Sequence, residues 1–374
     1  MDRRQFLMGA SASVFFTGLP VHGFTQDLPP GNIIAIFLEG GMDGLACVPP
    51  IGDPSFEKRR SKILSSNNIE ITDFFALHPS MRNFGSMLRS NDAAIVHATS
   101  IPYIKRSHFE GQNVAQTGMD IPYASKSGWL GRAAEMAGLA GRALSLDTPL
   151  LIRGTKEIDN FFPAHLDLSA APSKSLLSLL SDAHDGEFQQ SFEKLMVSGS
   201  SSRFGSARRG AVELAQHIGE AMQDEEGPRI AVIRVDDFDT HAGQGTLTRQ
   251  LRAVDDIFGS LKKSLGSAWD RSIVLTITEF GRTVSQNGSA GTDHGYGTAG
   301  LLAGGLLPRS SVLANWPGLN HKNLFEKRDL YATLDYRSVC AACIEAAFGL
   351  PHDQIASEIF EAPNLARTYD YLFA

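Results

Sequence analysis

The run SIVLTITEFGRTVSQNGSAGTDHGYG (Ser272–Gly297) joins a short apolar segment to a polar loop that contains five glycines. The apolar segment, SIVLTI, is rich in β-branched side chains, which is typical of a strand buried on both faces of a parallel sheet. The loop carries carboxylates, an arginine and a histidine, and its glycines allow the backbone to approach a ligand closely. The run therefore predicts a buried strand that ends in a functional loop.

Similar apolar runs recur along the chain and alternate with helical patterns. The other predicted strands are NIIAIFL (32–38), AAIVHA (93–98), PLLI (149–152), RIAVIRV (229–235) and AGLLAGG (299–305). Helical periodicity is present over residues 78–90, 173–184, 210–222 and 247–265. This alternation predicts an α/β fold with a doubly wound, mostly parallel sheet and helices on both faces.

Length and charge restrict the class of protein. The chain has 374 residues, of which 43% are hydrophobic and 20% charged, so it can bury a large core in one or two domains. We expect a single domain over residues 29–374, with a helical insertion near residues 167–227. The formal net charge of −7 and the lack of a basic run exclude nucleic acid as an expected partner.

The first 28 residues have the pattern of an export signal. Arg3 and Arg4 precede an apolar segment that is too short to span a bilayer. A twin-arginine pair in this position predicts recognition by the Tat export machinery and a periplasmic or exported protein. No transmembrane span is expected in the mature chain.

Several reactive side chains have the pattern of structural residues. Cys340 and Cys343 lie three apart in a helical run, where small buried side chains are expected in place of a redox motif. His78, before a proline, and His97, inside a predicted strand, are expected to be buried structural histidines.

Polar, reactive side chains follow four of the predicted strands. They are Asp43 after the first strand, Ser107 and His108 after AAIVHA, Asp239 and His241 after RIAVIRV, and Glu279, Arg282, Asp293 and His294 after SIVLTI. In open α/β sheets ligands bind at the carboxyl ends of the strands. We therefore expect these side chains to converge at one edge of the sheet.

Carboxylates and imidazoles that gather without lysines are stable together when a divalent cation lies among them. The predicted metal ligands are Asp43, Asp239, His241, Glu279, Asp293 and His294. The predicted cofactor is one or two divalent ions, with zinc, calcium, magnesium and manganese all open. Asp43 in a tight turn and Asp239 as a helix N-cap are the structural alternatives.

Ser107, His108 and Arg282 are the candidate catalytic residues. Ser107 would be a nucleophile if its oxygen bound a cation. Arg106 or Arg282 would hold a tetrahedral oxyanion through two hydrogen bonds. The alternative for Arg282 is that it braces the loop through Glu279 or Asp293.

Seven segments together resemble a known family. They are FLEGGMDGLACVPP, ALHPSM, RSHFEGQ, DDFDTHAGQ, TEFGRTVSQNGSAGTDHGYG, NWPGL and DLYATLDYRSV, and their order resembles that of the Tat-exported family catalogued as domain of unknown function 1501. That family is similar to the alkaline phosphatase and sulfatase superfamily. The resemblance implies a doubly wound sheet and an ancestral two-metal ester hydrolase.

The chain departs from the superfamily pattern at two places. Asp239 and His241 have the spacing Asp-x-His where the superfamily has Asp-x-x-x-His, and Phe280 stands where a histidine is expected after Glu279. A one-metal or metal-free site therefore stays open beside a two-metal site.

Two functions follow from these patterns. The first is an exported metal-dependent hydrolase of phosphate or sulfate esters, acting on a small-molecule or glycan ester. The second is a non-catalytic envelope or export-associated protein that retains the fold and binds a partner or glycan in the cleft at the strand ends.

Overall fold

The structure is a computed structural model, and it describes residues 30–139, 143–145, 150–154, 159–160, 207–225 and 227–374. Its strands are β1 (Asn32–Leu38), β2 (Ile69–Glu70), β3 (Ala76–Leu77), β4 (Ala93–Ser100), β5 (Ala143–Ser145), β6 (Asp159–Asn160), β7 (Ile230–Val235), β8 (Ser272–Thr278), β9 (Thr298–Ala303), β10 (Ser311–Ala314) and β11 (Leu334–Asp335). Its α-helices are α1 (Gly44–Cys47), α2 (Phe56–Arg60), α3 (Arg82–Arg89), α4 (His108–Thr117), α5 (Trp129–Met136), α6 (Ala207–Ala221), α7 (Gly245–Leu265), α8 (Tyr336–Phe348), α9 (His352–Gln354) and α10 (Tyr369–Leu372).

The main sheet has the strand order β10-β4-β9-β8-β1-β7-β5-β6, and β11 pairs with β4 beside this path. The pairs are parallel except those that β9 makes with β4 and β8. A separate small sheet contains β2 and β3. The prediction of a mostly parallel α/β sheet is confirmed.

Alternate side chains of each buried strand point to opposite faces of the sheet, so both faces are apolar. Helices cover both of these faces. Ile33 and Phe37 of β1 belong to a core that includes side chains of α5 and α8. Ile34 and Ile36 belong to a second core with side chains of α3, α6 and α7. All seven residues of β1 are buried, and each large apolar side chain buried in this way contributes about 1.5–3 kcal/mol.

The predicted strand PLLI (149–152) is wrong in its described part, because Leu150–Ile152 form a 3-10 turn. The N–H of Leu151 donates to the side chain of Gln116, and the carbonyl of Arg153 accepts from Gly128 at the start of α5. The place beside β7 is taken by β5. The turn therefore supports α4 and α5 and does not extend the sheet.

Some predicted segments lie largely or wholly outside the described residues. They are the signal segment 1–28, the helical pattern 173–184 and most of the insertion 167–227, of which the structure describes α6 and the residues that follow it. Among the described helices, none has both the length and the apolar character needed to cross a bilayer.

The predicted structural residues are buried as expected. Cys340 and Cys343 lie inside α8, where burial raises the pKa of the Cys343 thiol. His97 is fully buried, and its Nε2 donates to the Val48 carbonyl at 3.0 Å while its Nδ1 accepts from the backbone N–H of Ala98 at 2.7 Å.

Candidate metal centre

Three strands of the main sheet end at the centre. The chain leaves β4 and enters α4 at His108, and it leaves β7 into the loop that holds Asp239 and His241. After β8, the loop 279–297 carries His294 back toward the sheet before β9 begins. Four of the strand-end side chains therefore converge as predicted, namely His108, Asp239, His241 and His294.

The converging atoms are imidazole nitrogens and one carboxylate. The Nε2 of His294 lies 3.1 Å from the Nε2 of His108, 3.1 Å from the Nε2 of His241 and 2.9 Å from the Asp239 Oδ1. The Asp239 carboxylate is also 2.9 Å from the His241 Nε2 and 3.5 Å from the His108 Nε2. His108, Asp239 and His294 each place a ligand atom within 4.8 Å of the others.

The opposite nitrogen of each ring has an acceptor of its own. The Nδ1 of His294 is 3.1 Å from the Arg106 carbonyl, and the Nδ1 of His108 is 2.8 Å from the Glu279 Oε1. The Nδ1 of His241 is 3.2 Å from the Asp293 Oδ1. Because a carbonyl and an ionised carboxylate only accept, each neutral ring carries its proton on Nδ1 and directs a lone pair from Nε2 into the centre.

Lone pairs that meet at about 3 Å repel each other unless a proton or a metal cation lies between them. Tetrahedral zinc with Zn–N bonds of 2.0–2.1 Å separates its ligand atoms by about 3.3–3.4 Å. The separations that the Nε2 of His294 and the Asp239 carboxylate make with the other ligand atoms, 2.9–3.5 Å, are close to this value. The group in which every ligand atom lies within 4.8 Å of the others contains His108, Asp239 and His294, and His241 lies outside it. Three imidazoles and a carboxylate also form a donor set that zinc prefers.

Glu279 orients His108 from a fully buried position. Its Oε1 accepts from His108 and from the backbone N–H of Gly40, both at 2.8 Å, and from Gln112 at 3.3 Å. The hydrogen bond that His108 donates to Glu279 raises the pKa of His108, and burial acts against it. This carboxylate has the geometry of an outer partner that fixes the tautomer of a metal ligand.

Asp293 makes the same kind of contact with His241. Its Oδ1 also accepts from the Asn287 side chain at 3.2 Å, and hydrogen bonds from Asn287 and His241 lower the pKa of Asp293 although burial raises it. Glu279 and Asp293, both expected among the ligands, therefore stand behind imidazoles in the structure.

Arg282 braces Asp239 from inside the protein. The guanidinium is buried, and it donates to the Asp239 Oδ1 at 2.8 Å and to the Thr292 carbonyl at 2.7 Å. Burial alone would raise the pKa of Asp239, but the hydrogen bond from Arg282 and the positive charge of its guanidinium act against burial, and the pKa is lowered. The bracing alternative for Arg282 thus holds through Asp239 instead of Glu279 or Asp293.

Asp43 does not join the converging side chains. Both of its oxygens accept from Nη1 of Arg60, at 2.9 and 2.7 Å, and its Oδ1 caps α1 by accepting from the N–H of Ala46. The side chains of Asp43 and Arg60 are 0% and 2% exposed, so this is a buried ion pair. Asp43 therefore has the structural role that the sequence analysis gives as the alternative to metal ligation, in the turn between β1 and α1.

The loop 279–297 folds back on itself through its glycines. The N–H of Gly281 donates to the Tyr296 carbonyl at 2.9 Å, and the N–H of Gly295 donates to the Gly281 carbonyl at 2.8 Å. A Cβ on Gly281 would lie 2.0 Å from the Gly297 carbonyl oxygen. Only a glycine lets the returning chain come this close and bring His294 under the ends of the strands.

Ser107 is the residue directly before α4. Its hydroxyl does not cap the helix, and its backbone N–H donates to the Tyr103 hydroxyl at 3.1 Å. The preceding Arg106 has a φ of 61°, and this left-handed turn presents its carbonyl to His294. The Arg106 guanidinium is engaged by Asp329 and Glu326.

Several supporting residues lie outside the set expected from the sequence. They are Arg60, Gln112, Asn287, Glu326 and Asp329. Each acts through a side chain that looks like an ordinary surface residue in the sequence. Gln112, Asn287 and Asp329 lie inside the segments that carry the family resemblance, but their residue types do not indicate these supporting contacts, and Arg60 and Glu326 lie outside those segments.

Fold and site together define an α/β protein with a candidate metal centre at the carboxyl edge of its sheet. The chain belongs to the family described as "Protein of unknown function (DUF1501)", which matches residues 31–359, and the resemblance noted in the sequence is confirmed. No curated protein sequence shows a significant match to the chain.

Solved structures show a more distant similarity. The crystal structure of Ps i-CgsB has 11% identity and a TM-score of 0.46, and the match covers 86% of this chain and 72% of that one. A protein in the alkaline phosphatase superfamily from Vibrio parahaemolyticus has 10% identity and a TM-score of 0.39, with coverage of 76% and 63%. The C-terminal periplasmic domain of EcEptC from Escherichia coli has 11% identity and a TM-score of 0.37, with coverage of 74% and 73%.

Proposed function

We propose that the chain is an exported, metal-dependent hydrolase of phosphate or sulfate esters, with an alkaline phosphatase-like arrangement of its sheet. The observation that carries the proposal is the convergence of three imidazole Nε2 atoms on the Asp239 carboxylate while every Nδ1 is held by an acceptor. Such preoriented lone pairs fit a divalent cation. The ligands would be His108, His241, His294 and Asp239.

One ion fits this donor set better than two. Asp43, the residue expected to hold a further ion, is neutralised by the buried Arg60 guanidinium. Arg282 supplies a second fixed positive charge beside Asp239. Asp43 is therefore not available as a ligand for a further ion, and zinc is the metal that the nitrogen-rich set of three imidazoles and one carboxylate favours.

A bound divalent ion would supply Lewis-acid stabilisation of the charge that develops on the ester oxygens. The chain's own residues would do the rest. The Ser107 hydroxyl lies at the N-terminus of α4 and does not cap the helix, so it would be available to the substrate. The helix dipole favours an anionic group at this position. Glu279 and Asp293 would keep His108 and His241 in one tautomer and orientation.

The deciding experiment combines elemental analysis with thermal unfolding of the mature chain and of His294→Ala. An ion present at a thousand times its dissociation constant adds about 4 kcal/mol of stability to the folded state. We expect a chelator to lower the melting temperature of the wild type by several degrees and to have little effect on His294→Ala. The exposed His321, changed to Ala, is the matched control and should respond to the chelator like the wild type.

Activity is then measured on the metal-loaded chain with phosphomonoesters, phosphodiesters and sulfate esters. Turnover that is lost in His294→Ala supports the hydrolase. Metal binding without turnover of any ester would favour the binding protein that retains this fold. A wild-type chain that holds no ion and does not respond to the chelator would refute the metal centre itself.

A further inference from the structure

Three large apolar side chains on α4 and in the segment that follows it are exposed. Phe109 follows the ligand His108 directly and is 81% exposed, and Tyr123 is 64% exposed. Ile121, two residues before Tyr123, is 68% exposed. Large side chains of this kind are costly to leave in water, and an exposed apolar group beside a polar site is typical of a surface that receives a ligand.

The helix α4 sets the direction of Phe109 relative to the centre. His108 and Gln112 face the centre, where they contact the Oε1 of Glu279. Successive residues of an α-helix are rotated by about 100°, so Phe109 lies about 60° from Gln112 around the helix axis. Phe109 therefore stands at the border between the face that holds the centre and the face in solvent.

Tyr123 is held beside the same helix. Its backbone N–H donates to the side-chain oxygen of Asn113 at 2.6 Å, and Asn113 lies one turn after Phe109 on α4. Residues four apart on a helix have Cβ atoms about 6 Å apart. Tyr123 also has a φ of 65°, an uncommon conformation for tyrosine that the Asn113 contact supports.

We propose that Phe109 and Tyr123 form an apolar wall that binds a ring in the organic part of the ester, while the oxyanion group lies at the centre. This inference rests on the proposed function. Because Phe109 follows the ligand His108 directly on α4, we expect the wall to contact the part of the organic group that is nearest to the oxyanion. Aromatic walls bind such rings by stacking with centroids about 4.5–7 Å apart.

Two non-hydrolysable probes separate the wall from the metal centre. We would measure binding of phenylphosphonate and methylphosphonate to the zinc-loaded chain by calorimetry. Because an aromatic contact is worth about 0.5–1.5 kcal/mol, the phenyl probe should bind about threefold to tenfold more tightly. Phe109→Ala and Tyr123→Ala should each reduce this ratio toward one, and Phe109→Trp should keep it.

Tyr371→Ala is the matched control, because Tyr371 is also 64% exposed and lies on α10. It should leave the ratio as in the wild type. Equal affinities of the wild type for both probes, or a ratio that does not change in Phe109→Ala and Tyr123→Ala, would overturn the wall while leaving the centre in place. If the zinc-loaded chain binds neither phosphonate, the oxyanion centre of the proposed function fails, and the wall fails with it.

Discussion

His97 is held in its neutral form by its surroundings. Burial lowers the pKa of His97 to about 4, and the ring packs between Phe75 and Trp316. An unfolded chain binds a proton near pH 6.5, so between pH 6.5 and 4 the unfolded state binds more protons than the folded state. The stability that depends on the neutral ring is complete above pH 6.5 and is lost as the pH falls toward 4.

We predict that His97→Gln lowers overall stability but flattens this pH dependence. Each such histidine contributes a slope of up to about 1.4 kcal/mol per pH unit, and glutamine does not titrate. Denaturant unfolding of both proteins at several pH values from 7 to 4 measures the difference. Parallel curves for the two proteins would show that His97 does not titrate on unfolding.

The buried pair of Arg60 and Asp43 gives a second prediction at the residue scale. Arg60→Met should cost about 3–5 kcal/mol, because it leaves the Asp43 carboxylate buried without its partner. The guanidinium of Arg59, the neighbouring residue, donates to the Ser285 hydroxyl in an exposed hydrogen bond, so Arg59→Met should change stability by less than about 0.5 kcal/mol. Similar losses in both variants would contradict the structural role of the pair.

At the scale of elements, the loop 279–297 depends on close backbone contacts. Gly281→Ala should disturb the returning chain, because the new Cβ would meet the Gly297 carbonyl at 2.0 Å. We predict a loss of several kcal/mol of stability and at least about a tenfold loss of zinc affinity, since a ligand misplaced by about 1 Å loses most of its bond.

Gly288→Ala is the control in the same loop. No atom lies within 4 Å of the Cβ that this substitution adds. Stability and zinc affinity, measured by thermal unfolding and calorimetry, should stay close to those of the wild type. Equal effects of the two substitutions would mean that the contact between Gly281 and Gly297 does not position His294.

The sequence predicts the strands well and the partners of the site residues poorly. Apolar runs such as SIVLTI identify the buried strands, because a strand covered on both faces has few polar positions. The run EKRR at Glu57–Arg60 has no feature that distinguishes Arg60, which turns inward to Asp43, from Arg59 at the surface. At Leu150–Ile152 the sequence predicts a strand where the structure has a turn. A short apolar run is compatible with either, because both can be buried.

Within the site, the sequence predicts which residue types gather, but it does not predict which of them are ligands and which support a ligand. Asp239, His241 and His294 meet as the spacing after the strands indicates, but nothing in the sequence tells a ligand from the carboxylate behind it. His108 was expected to act as a catalytic residue and instead lies among the candidate ligands. This assignment depends on the contact between its Nδ1 and Glu279, 171 residues away, which only the folded chain defines.

At the scale of the whole molecule, export gives a testable prediction. Replacing Arg3 and Arg4 with lysine should leave a folded protein in the cytoplasm, because the Tat receptor distinguishes a guanidinium from an ammonium group. Cell fractionation of the wild type and the double variant measures the result. The same fraction of both proteins in the periplasm would show that the arginine pair is not the signal.

The imidazoles of the centre come from distant parts of the chain. His294 lies 186 residues from His108 and 53 residues from His241 in sequence. A bound ion would therefore act as a cross-link that closes two long loops, and closing such loops removes conformational entropy from the unfolded ensemble. Because none of the four ligands lies near all the others in sequence, an unfolded chain cannot assemble the set locally. The ion would then enter only after the sheet has formed, and its release would have to precede any opening of the loop 279–297.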